Sequence, residues 1–109
     1  MTLQSKLQKI QRVLTDVTES CFHYWRAKAN PPYLIWAEDS EADSFDGDNH
    51  KREQQIHGTA DYFTKTEFDP TVDEVQEALN GIMAGWRLNS VQYEEDTGLI
   101  HYEWEWWVI

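Results

Sequence analysis

Residues 86–108 read WRLNSVQYEEDTGLIHYEWEWWV, and this stretch decides the fold of the chain. From Leu99 onward apolar residues alternate with mostly polar ones, which is the period-two pattern of a strand with one covered face. Gly98 can adopt the positive φ that a short hairpin loop requires, and a second extended segment precedes it. The stretch therefore predicts a long aromatic β-hairpin over residues 86–108.

The phase of this alternation predicts which hairpin side chains are buried and which are available to a neighbouring molecule. One face is expected to enter the core, and it carries Ile100, Tyr102, Trp104, Trp106 and Val108. The other face carries His101, Glu103, Glu105 and Trp107. In the first strand the apolar phase shifts between Leu88 and Val91, which indicates a β-bulge near Asn89 or Ser90.

Two amphipathic helices are predicted upstream of the hairpin. The first places Lys6 away from an apolar stripe with helical spacing, formed by Leu3, Leu7, Ile10, Leu14 and Val17. The second begins near Pro70, with either Asp69 as its cap or a capping box that starts at Thr71. Its apolar stripe consists of Val72, Val75, Leu79 and Ile82, and we interpret Gly81 and Gly85 as its stop signals.

Three further strands complete the predicted set. The aromatic segment 21–26 is expected to be extended, and the apolar run 33–37 indicates an inner strand covered on both faces. Residues 54–64 alternate, with small residues, Gly58 and Ala60, on the side where a helix is expected to pack closely. We predict one α+β domain over residues 1–109, a mostly antiparallel sheet of four to five strands with two main helices packed on one face.

The composition restricts the classes of partner. Twenty acidic and nine basic residues give a formal charge of −11, which repels nucleic acids and anionic membranes and favours a basic protein partner. No apolar run is long enough to span a membrane, and we expect synthesis in the cytoplasm. Cys21 is the only cysteine, which rules out an internal disulfide, and we expect a buried or idle thiol there.

Residues 38–49 are predicted to form an acidic loop that contacts a positively charged partner. Its carboxylates are Glu38, Asp39, Glu41, Asp43, Asp46 and Asp48. A calcium-binding loop of the EF-hand type would need glycine at the position of Ser44, so that template fails. Imitation of DNA by the surplus charge, as in small inhibitors of DNA-binding proteins, is an alternative.

A metal site is a second alternative. His101, Glu103 and Glu105 lie on one face of the last strand and, with His57 on a neighbouring strand, would form a set of metal ligands for an enzyme. Alternating polar residues are also what any exposed strand face shows. We therefore expect no metal, no cofactor and no catalytic residue.

Three segments, residues 33–38, 58–65 and 86–104, resemble a family of small tail-region proteins from phages and prophages of Gram-positive bacteria. The order of elements is also similar to that of the tail-terminator, or tail-completion, proteins of long-tailed phages. This resemblance implies a non-enzymatic subunit that assembles into a ring, often a hexamer, on the end of the tail tube and joins the tube to the head.

The partners implied by the resemblance are further copies of the chain, the major tail protein and the head-tail connector proteins, all within the virion. A head-tail adaptor or another minor tail component is the nearest alternative. From the residues themselves we assign two groups to assembly: the six carboxylates of residues 38–49 and the outer face of the last strand, His101, Glu103, Glu105 and Trp107.

Overall fold

The computed structural model describes residues 2–26, 28–42 and 54–109. Its elements follow in the predicted order: α1 (Leu3–Val17), β1 (Cys21–His23), β2 (Tyr33–Glu41), β3 (Ile56–Thr64), α2 (Pro70–Ile82), β4 (Gly85–Glu94) and β5 (Leu99–Val108). Within these residues, neither helix has the length and apolar character needed to cross a bilayer.

The five strands form one sheet in the order β1-β2-β3-β5-β4. All neighbouring strands are antiparallel except β1 and β2, which are parallel. The α+β class is therefore confirmed, with a mixed sheet. Residues 21–26 do not extend as one strand, because the backbone of Tyr24 adopts a φ of 77° directly after β1. The chain leaves the sheet there and returns to run parallel to β1.

Both helices pack on the same face of the sheet, as predicted. The Thr2 hydroxyl caps α1 by accepting the backbone N–H of Ser5. Asp69 caps α2 by accepting the backbone N–H of Thr71, so the capping box beginning at Thr71 is not the one used. Of the two predicted stop signals, Gly81 is wrong because it lies inside α2, which ends at Ile82 with Met83 as its C-cap. Gly85 follows the helix and is the first residue of β4.

The core lies between the helices and this sheet face, and three tryptophans fill its centre. Trp36, Trp104 and Trp106 are fully buried. The indole N–H of Trp36 donates to Gln11 of α1 at 2.7 Å, and that of Trp104 donates to Gln76 of α2 at 3.0 Å. Each helix therefore contacts the sheet through one glutamine, which accepts a hydrogen bond. This bond gives a buried indole N–H an acceptor, and a buried N–H without one would cost free energy.

Packing around β3 differs from the prediction. The space above Gly58 is filled by the indole of Trp106 from the paired strand β5, and not by a helix backbone. On β2, Leu34 and Trp36 on the helix side are buried, whereas Ile35 and Ala37 on the opposite face are half-buried. The inner strand is therefore covered fully on one face only.

Three other local predictions concern the bulge in β4, the glycine of the hairpin loop and the position of Lys6 on α1. The bulge in β4 lies between Leu88 and Ser90, as predicted, and Gly98 has a φ of 73° in the hairpin loop. Lys6 is buried and not on a solvent-facing side of α1, because its Nζ donates to the backbone carbonyl of Gln54 at 2.7 Å. A buried ammonium group needs such a partner, and its aliphatic stem packs with the apolar residues.

Candidate functional site: an open sheet face and an edge strand

The sheet face opposite the helices carries a band of polar and aromatic side chains. Register places Thr59 opposite Glu105, Asp61 opposite Glu103 and His57 opposite Trp107. In the part of the chain that the structure describes, no helix packs on this face, and its side chains are half-buried by one another. The outer face predicted for β5, with His101, Glu103, Glu105 and Trp107, is therefore observed on this side of the sheet.

His57 is the centre of the first cluster on this face. Its Nδ1 lies 2.7 Å from Asp39 Oδ1, and its Nε2 lies 3.2 Å from Glu105 Oε2. The other carboxylate oxygen of Glu105 accepts a hydrogen bond from Arg87, and the Trp107 ring lies 5.2 Å from the imidazole. The cluster thus connects four strands. Asp39 belongs to β2, His57 to β3, Glu105 to β5 and Arg87 to β4.

The carboxylates around His57 set its protonation. Burial alone would lower the pKa of His57, but the hydrogen bonds and the negative charges of Asp39 and Glu105 raise it above its ordinary value. Asp39 reaches the ring because the register of β2 shifts between Glu38 and Ser40. A bulge of this kind changes the direction in which a side chain points. Here it directs the Asp39 carboxylate toward the His57 ring, where it is one of the two carboxylates in contact with the imidazole.

We expect the stability that His57 contributes to be greatest in mild acid. Its folded pKa lies above the unfolded value of 6.5, so the contribution is complete below that value and is lost as the pH rises through the folded pKa. The free energy of unfolding of the wild type should exceed that of His57→Gln by more at about pH 5 than at about pH 8. Urea titrations at both pH values measure this difference, and a difference that grows with pH would contradict the assignment.

His101 is the centre of the second cluster. Its Nε2 lies 2.7 Å from Asp61 Oδ1, and its ring stacks on Phe63 with the centroids 4.2 Å apart. Asn89 of β4 donates to Glu103 Oε1 at 2.6 Å. Burial raises the pKa of Asp61, and the nearby Glu103 raises it further, although His101 acts in the opposite direction.

The structure does not bring His57 together with His101 and Glu103, as the metal-enzyme alternative requires. His57 lies opposite Trp107, whereas His101 lies opposite Phe63, so the two imidazoles are six strand positions apart. At the rise of a β-strand this separation is roughly 20 Å. The metal-ligand set proposed from the sequence therefore does not form, and Asp61 takes the place of His57 beside His101.

The predicted acidic loop needs a correction at its start. Glu38, Asp39 and Glu41 belong to strand β2, because residues 38–41 pair with β3 and do not form a loop. Glu38 accepts from the Tyr24 hydroxyl and contacts His23 at 2.7 Å on the helix side of the sheet, away from Asp39. Burial favours a higher pKa for Glu38, but these hydrogen bonds lower it overall. The remaining candidates lie outside the described residues: Asp43, Asp46 and Asp48.

The second candidate surface is strand β4, which was not predicted from the sequence to be a site. It is ten residues long and forms one edge of the sheet. On its helix side, beyond the reach of α2, Leu88, Val91 and Tyr93 are 44%, 50% and 65% exposed. They follow Trp86 along the strand, next to a groove between α2 and β4 that contains Gln76 and Asn80. We name Leu88, Val91 and Tyr93 the edge patch.

Cys21 carries no sign of reactivity. It is buried, and burial raises the pKa of its thiol to about 11, so the thiol is protonated at neutral pH. This agrees with the expectation of a buried thiol. Two exposed aromatic residues, Trp25 and Phe68, lie in the connections that follow β1 and β3. Neither of them was predicted from the sequence to be a surface residue.

Comparison with known proteins supports the fold. No protein-family profile matches the sequence, and no curated protein matches it. Among solved structures, a chain in the virion of a native gene transfer agent (GTA) particle is similar, with a TM-score of 0.57 and 11% sequence identity. The likeness covers 97% of this chain and 92% of that chain. At this identity it shows a shared fold, which therefore also occurs in a virion component.

Proposed function

We propose that this chain is a non-enzymatic structural protein of a phage or prophage virion. Support comes from the likeness to a chain of a virion particle over nearly the full length of both chains. Within that class we propose a tail terminator, or tail-completion protein, that caps the tail tube and joins it to the head. This role follows from the resemblance of residues 33–38, 58–65 and 86–104 to small phage tail proteins.

The single observation that carries an assembly role is the edge patch. An edge strand offers unpaired backbone N–H and C=O groups, and proteins normally shorten, charge or cover such strands. Here the strand is ten residues long, and it adds three exposed apolar side chains to the free backbone. The opposite edge, β1, has only three residues. A subunit contact centred on β4 therefore buries the larger unprotected edge.

The charged and polar residues beside the edge patch provide the rim of such a contact. Arg87, Asn89 and Glu105 lie on the other face of the same hairpin and are bonded to one another or to neighbouring strands. An interface with an apolar centre and a polar rim is the usual arrangement of a stable subunit contact. Polar groups at the rim of an interface affect the alignment of the two subunits and their association rate more than their affinity for each other.

The proposed partners are further copies of this chain in a ring, the hexamer being the form that the resemblance implies, together with the major tail protein and head-tail connector proteins. The chain would be synthesised in the bacterial host cytoplasm and would reside at the tail or the head-tail junction of the virion. Its charge of −11 suits basic protein surfaces better than nucleic acid or membrane. A head-tail adaptor, which would bind connector proteins and not the tail tube, is the nearest alternative.

The proposal is tested by replacing Val91 with lysine. Val91 is half exposed and lies on an edge strand, so the variant is expected to fold with a circular dichroism spectrum like that of the wild type. A buried lysine at the centre of the contact should weaken self-association or binding to purified tail tubes by about tenfold or more. Native mass spectrometry at rising concentration, with and without tubes, measures both.

Gln8→Lys is the matched control, because it adds the same charge at an exposed position of α1, far in sequence from the edge patch. It should associate like the wild type. A wild-type chain that stays monomeric and never binds tubes would contradict the proposed function. Binding to connector proteins but not to tubes would favour the adaptor, and equal loss of association in both variants would show that net charge matters and the edge patch does not.

A further inference from the structure

We propose that Asp61, His101 and Glu103 form a binding site for one divalent transition-metal ion, with Zn²⁺ as the ion that suits this ligand set. The three side chains can each offer one ligand atom, and these atoms lie within 4.8 Å of one another. The site goes beyond the proposed structural role and does not depend on it. It also differs from the alternative metal-ligand set drawn from the sequence, because Asp61 takes the place of His57 beside His101 and Glu103.

The backbone places the three side chains on one face. Asp61 of β3 lies directly opposite Glu103 of β5 in the antiparallel register. His101 lies two positions before Glu103 on the same strand, and residues two apart in a strand point to the same side of the sheet. All three positions are in the middle of paired strands and not in loops. Such a site is held rigidly, which is what metal binding at a surface requires.

The distances allow an ion to enter with small movements. Zn²⁺ bonds to nitrogen and oxygen ligands at about 2.0–2.1 Å, so tetrahedral ligand atoms lie roughly 3.3 Å apart. His101 Nε2 and Asp61 Oδ1 are 2.7 Å apart and share a proton at present. An ion between them replaces that proton and requires a separation increase of about half an ångström. Rotation of the Glu103 carboxylate then completes three protein ligands.

Neighbouring groups already orient these ligands. The ring of Phe63 stacks on His101, which limits the rotation of the imidazole. Asn89 donates to one oxygen of Glu103, which leaves the other oxygen for an ion. Hydrogen-bonded and packed neighbours of this kind hold the ligands of metal sites in place. Their presence distinguishes this cluster from a group of freely rotating surface carboxylates.

Electrostatics favour a cation at this point. Two carboxylates and a neutral imidazole give the site a charge of about −2, which a divalent ion neutralises. Asp61 and Glu103 lie directly opposite each other in the strand pairing, which places two carboxylates side by side. The whole chain carries a charge of −11. A cation bound between these carboxylates would reduce the negative charge at this point.

The ligand types identify the class of ion. One imidazole nitrogen with two carboxylate oxygens binds Zn²⁺ or similar transition metals in preference to Mg²⁺ or Ca²⁺, which favour oxygen ligands alone. Three protein ligands leave a fourth position for water or for a side chain of another molecule. That position faces the open side of the sheet, since no described helix packs there.

Isothermal titration of the full chain with ZnCl₂ in a buffer without chelators tests the site. The expected result is one ion per chain, with binding that excess Mg²⁺ does not displace. Asp61→Asn and Glu103→Gln keep the shape and hydrogen-bonding capacity of the side chains but remove a ligand charge. Each should weaken Zn²⁺ binding by about 10- to 100-fold, as expected when a ligand or its support is lost.

His57→Gln is the matched control, because it removes an imidazole that also contacts two carboxylates on the same sheet face. This variant should bind Zn²⁺ like the wild type. In the NMR spectrum of the wild type, Zn²⁺ should shift the ring nitrogen signals of His101 and leave those of His57 unchanged. This second measurement does not depend on the folding of any variant.

Three results would overturn the site: no saturable binding by the wild type, equal weakening in His57→Gln and Asp61→Asn, or an NMR shift at His57 without one at His101. The result is separable from the proposed function. Metal binding by a chain that never associates with tail tubes would support the site and contradict the tail role, whereas tube binding without metal binding would do the reverse.

Discussion

Gly58→Ala is expected to destabilise the protein by about 3 kcal/mol, the upper part of the range for overpacked cores. A Cβ atom at this position would lie 2.2 Å from Cζ2 of Trp106 and 2.4 Å from the carbonyl oxygen of Ala37. Trp106 is fully buried and the Ala37 oxygen belongs to the backbone of β2, so neither can move without disturbing the core or the pairing of β2 with β3. Urea unfolding followed by tryptophan fluorescence measures the loss.

Gly81→Ala provides the control for this experiment. Gly81 lies in the last turn of α2, and a Cβ there would meet nothing within 4 Å. Alanine has the higher helix propensity, so this variant is expected to gain up to about 1 kcal/mol of stability. If the loss of unfolding free energy in Gly58→Ala were smaller than the gain in Gly81→Ala, the close approach of Trp106 to β3 would be disproved.

Asp69→Ala is expected to cost about 3 kcal/mol, because one carboxylate performs two tasks. It caps α2 through the backbone N–H of Thr71, a contribution of about 1 kcal/mol. Its second oxygen accepts hydrogen bonds from the hydroxyls of Tyr62 and Thr64, both at 2.8 Å and both from buried residues. Alanine leaves these hydroxyls without that acceptor, at a further cost of about 2 kcal/mol.

The effect of Asp69 should depend on pH. Burial tends to raise the pKa of this carboxyl, but hydrogen bonds from Thr71, Thr64 and Tyr62 lower it below the ordinary value of 3.8. Its contribution is therefore present above pH 3.8 and is lost as the pH falls through the lower folded value. Thermal unfolding at neutral pH and in acid should show a smaller difference between wild type and Asp69→Ala in acid.

Asp73→Ala is the control for Asp69, since Asp73 is an exposed acid in the first turn of the same helix. Its interaction with the helix dipole should contribute only a few tenths of a kcal/mol. Asp69→Asn keeps an oxygen that can cap the helix, so its free energy of unfolding should lie between those of the two alanine variants. A loss in Asp73→Ala as large as in Asp69→Ala would show that charge in this turn, and not the buried network, stabilises α2.

Local periodicity predicted much of the fold. The alternation in β5 predicted that Trp104 and Trp106 are buried, and the phase shift in β4 predicted the bulge after Leu88. These features depend on repeats of 2 or 3.6 residues, which the sequence displays directly. The burial of Lys6 was not predictable in this way, because its acceptor is the carbonyl of Gln54, far along the chain.

The candidate sites were predictable only in part, because they depend on strand order and register. His101 and Glu103 share a strand, so their common face was visible in the sequence. Asp61 joins them only because β3 pairs with β5 in one particular register. The edge patch requires the knowledge that β4 is the outermost strand, and nothing in its own residues shows this. Pairing between distant segments is a tertiary property that local patterns do not encode.

The bulge in β4 has a consequence for solubility. Two flat edge strands from different molecules can pair along their whole length and extend into a fibril. The register shift between Leu88 and Ser90 interrupts the regular spacing of backbone groups along β4. We therefore expect two copies of this strand to pair less regularly past that point. An edge strand with exposed apolar side chains is thereby made less prone to open-ended aggregation.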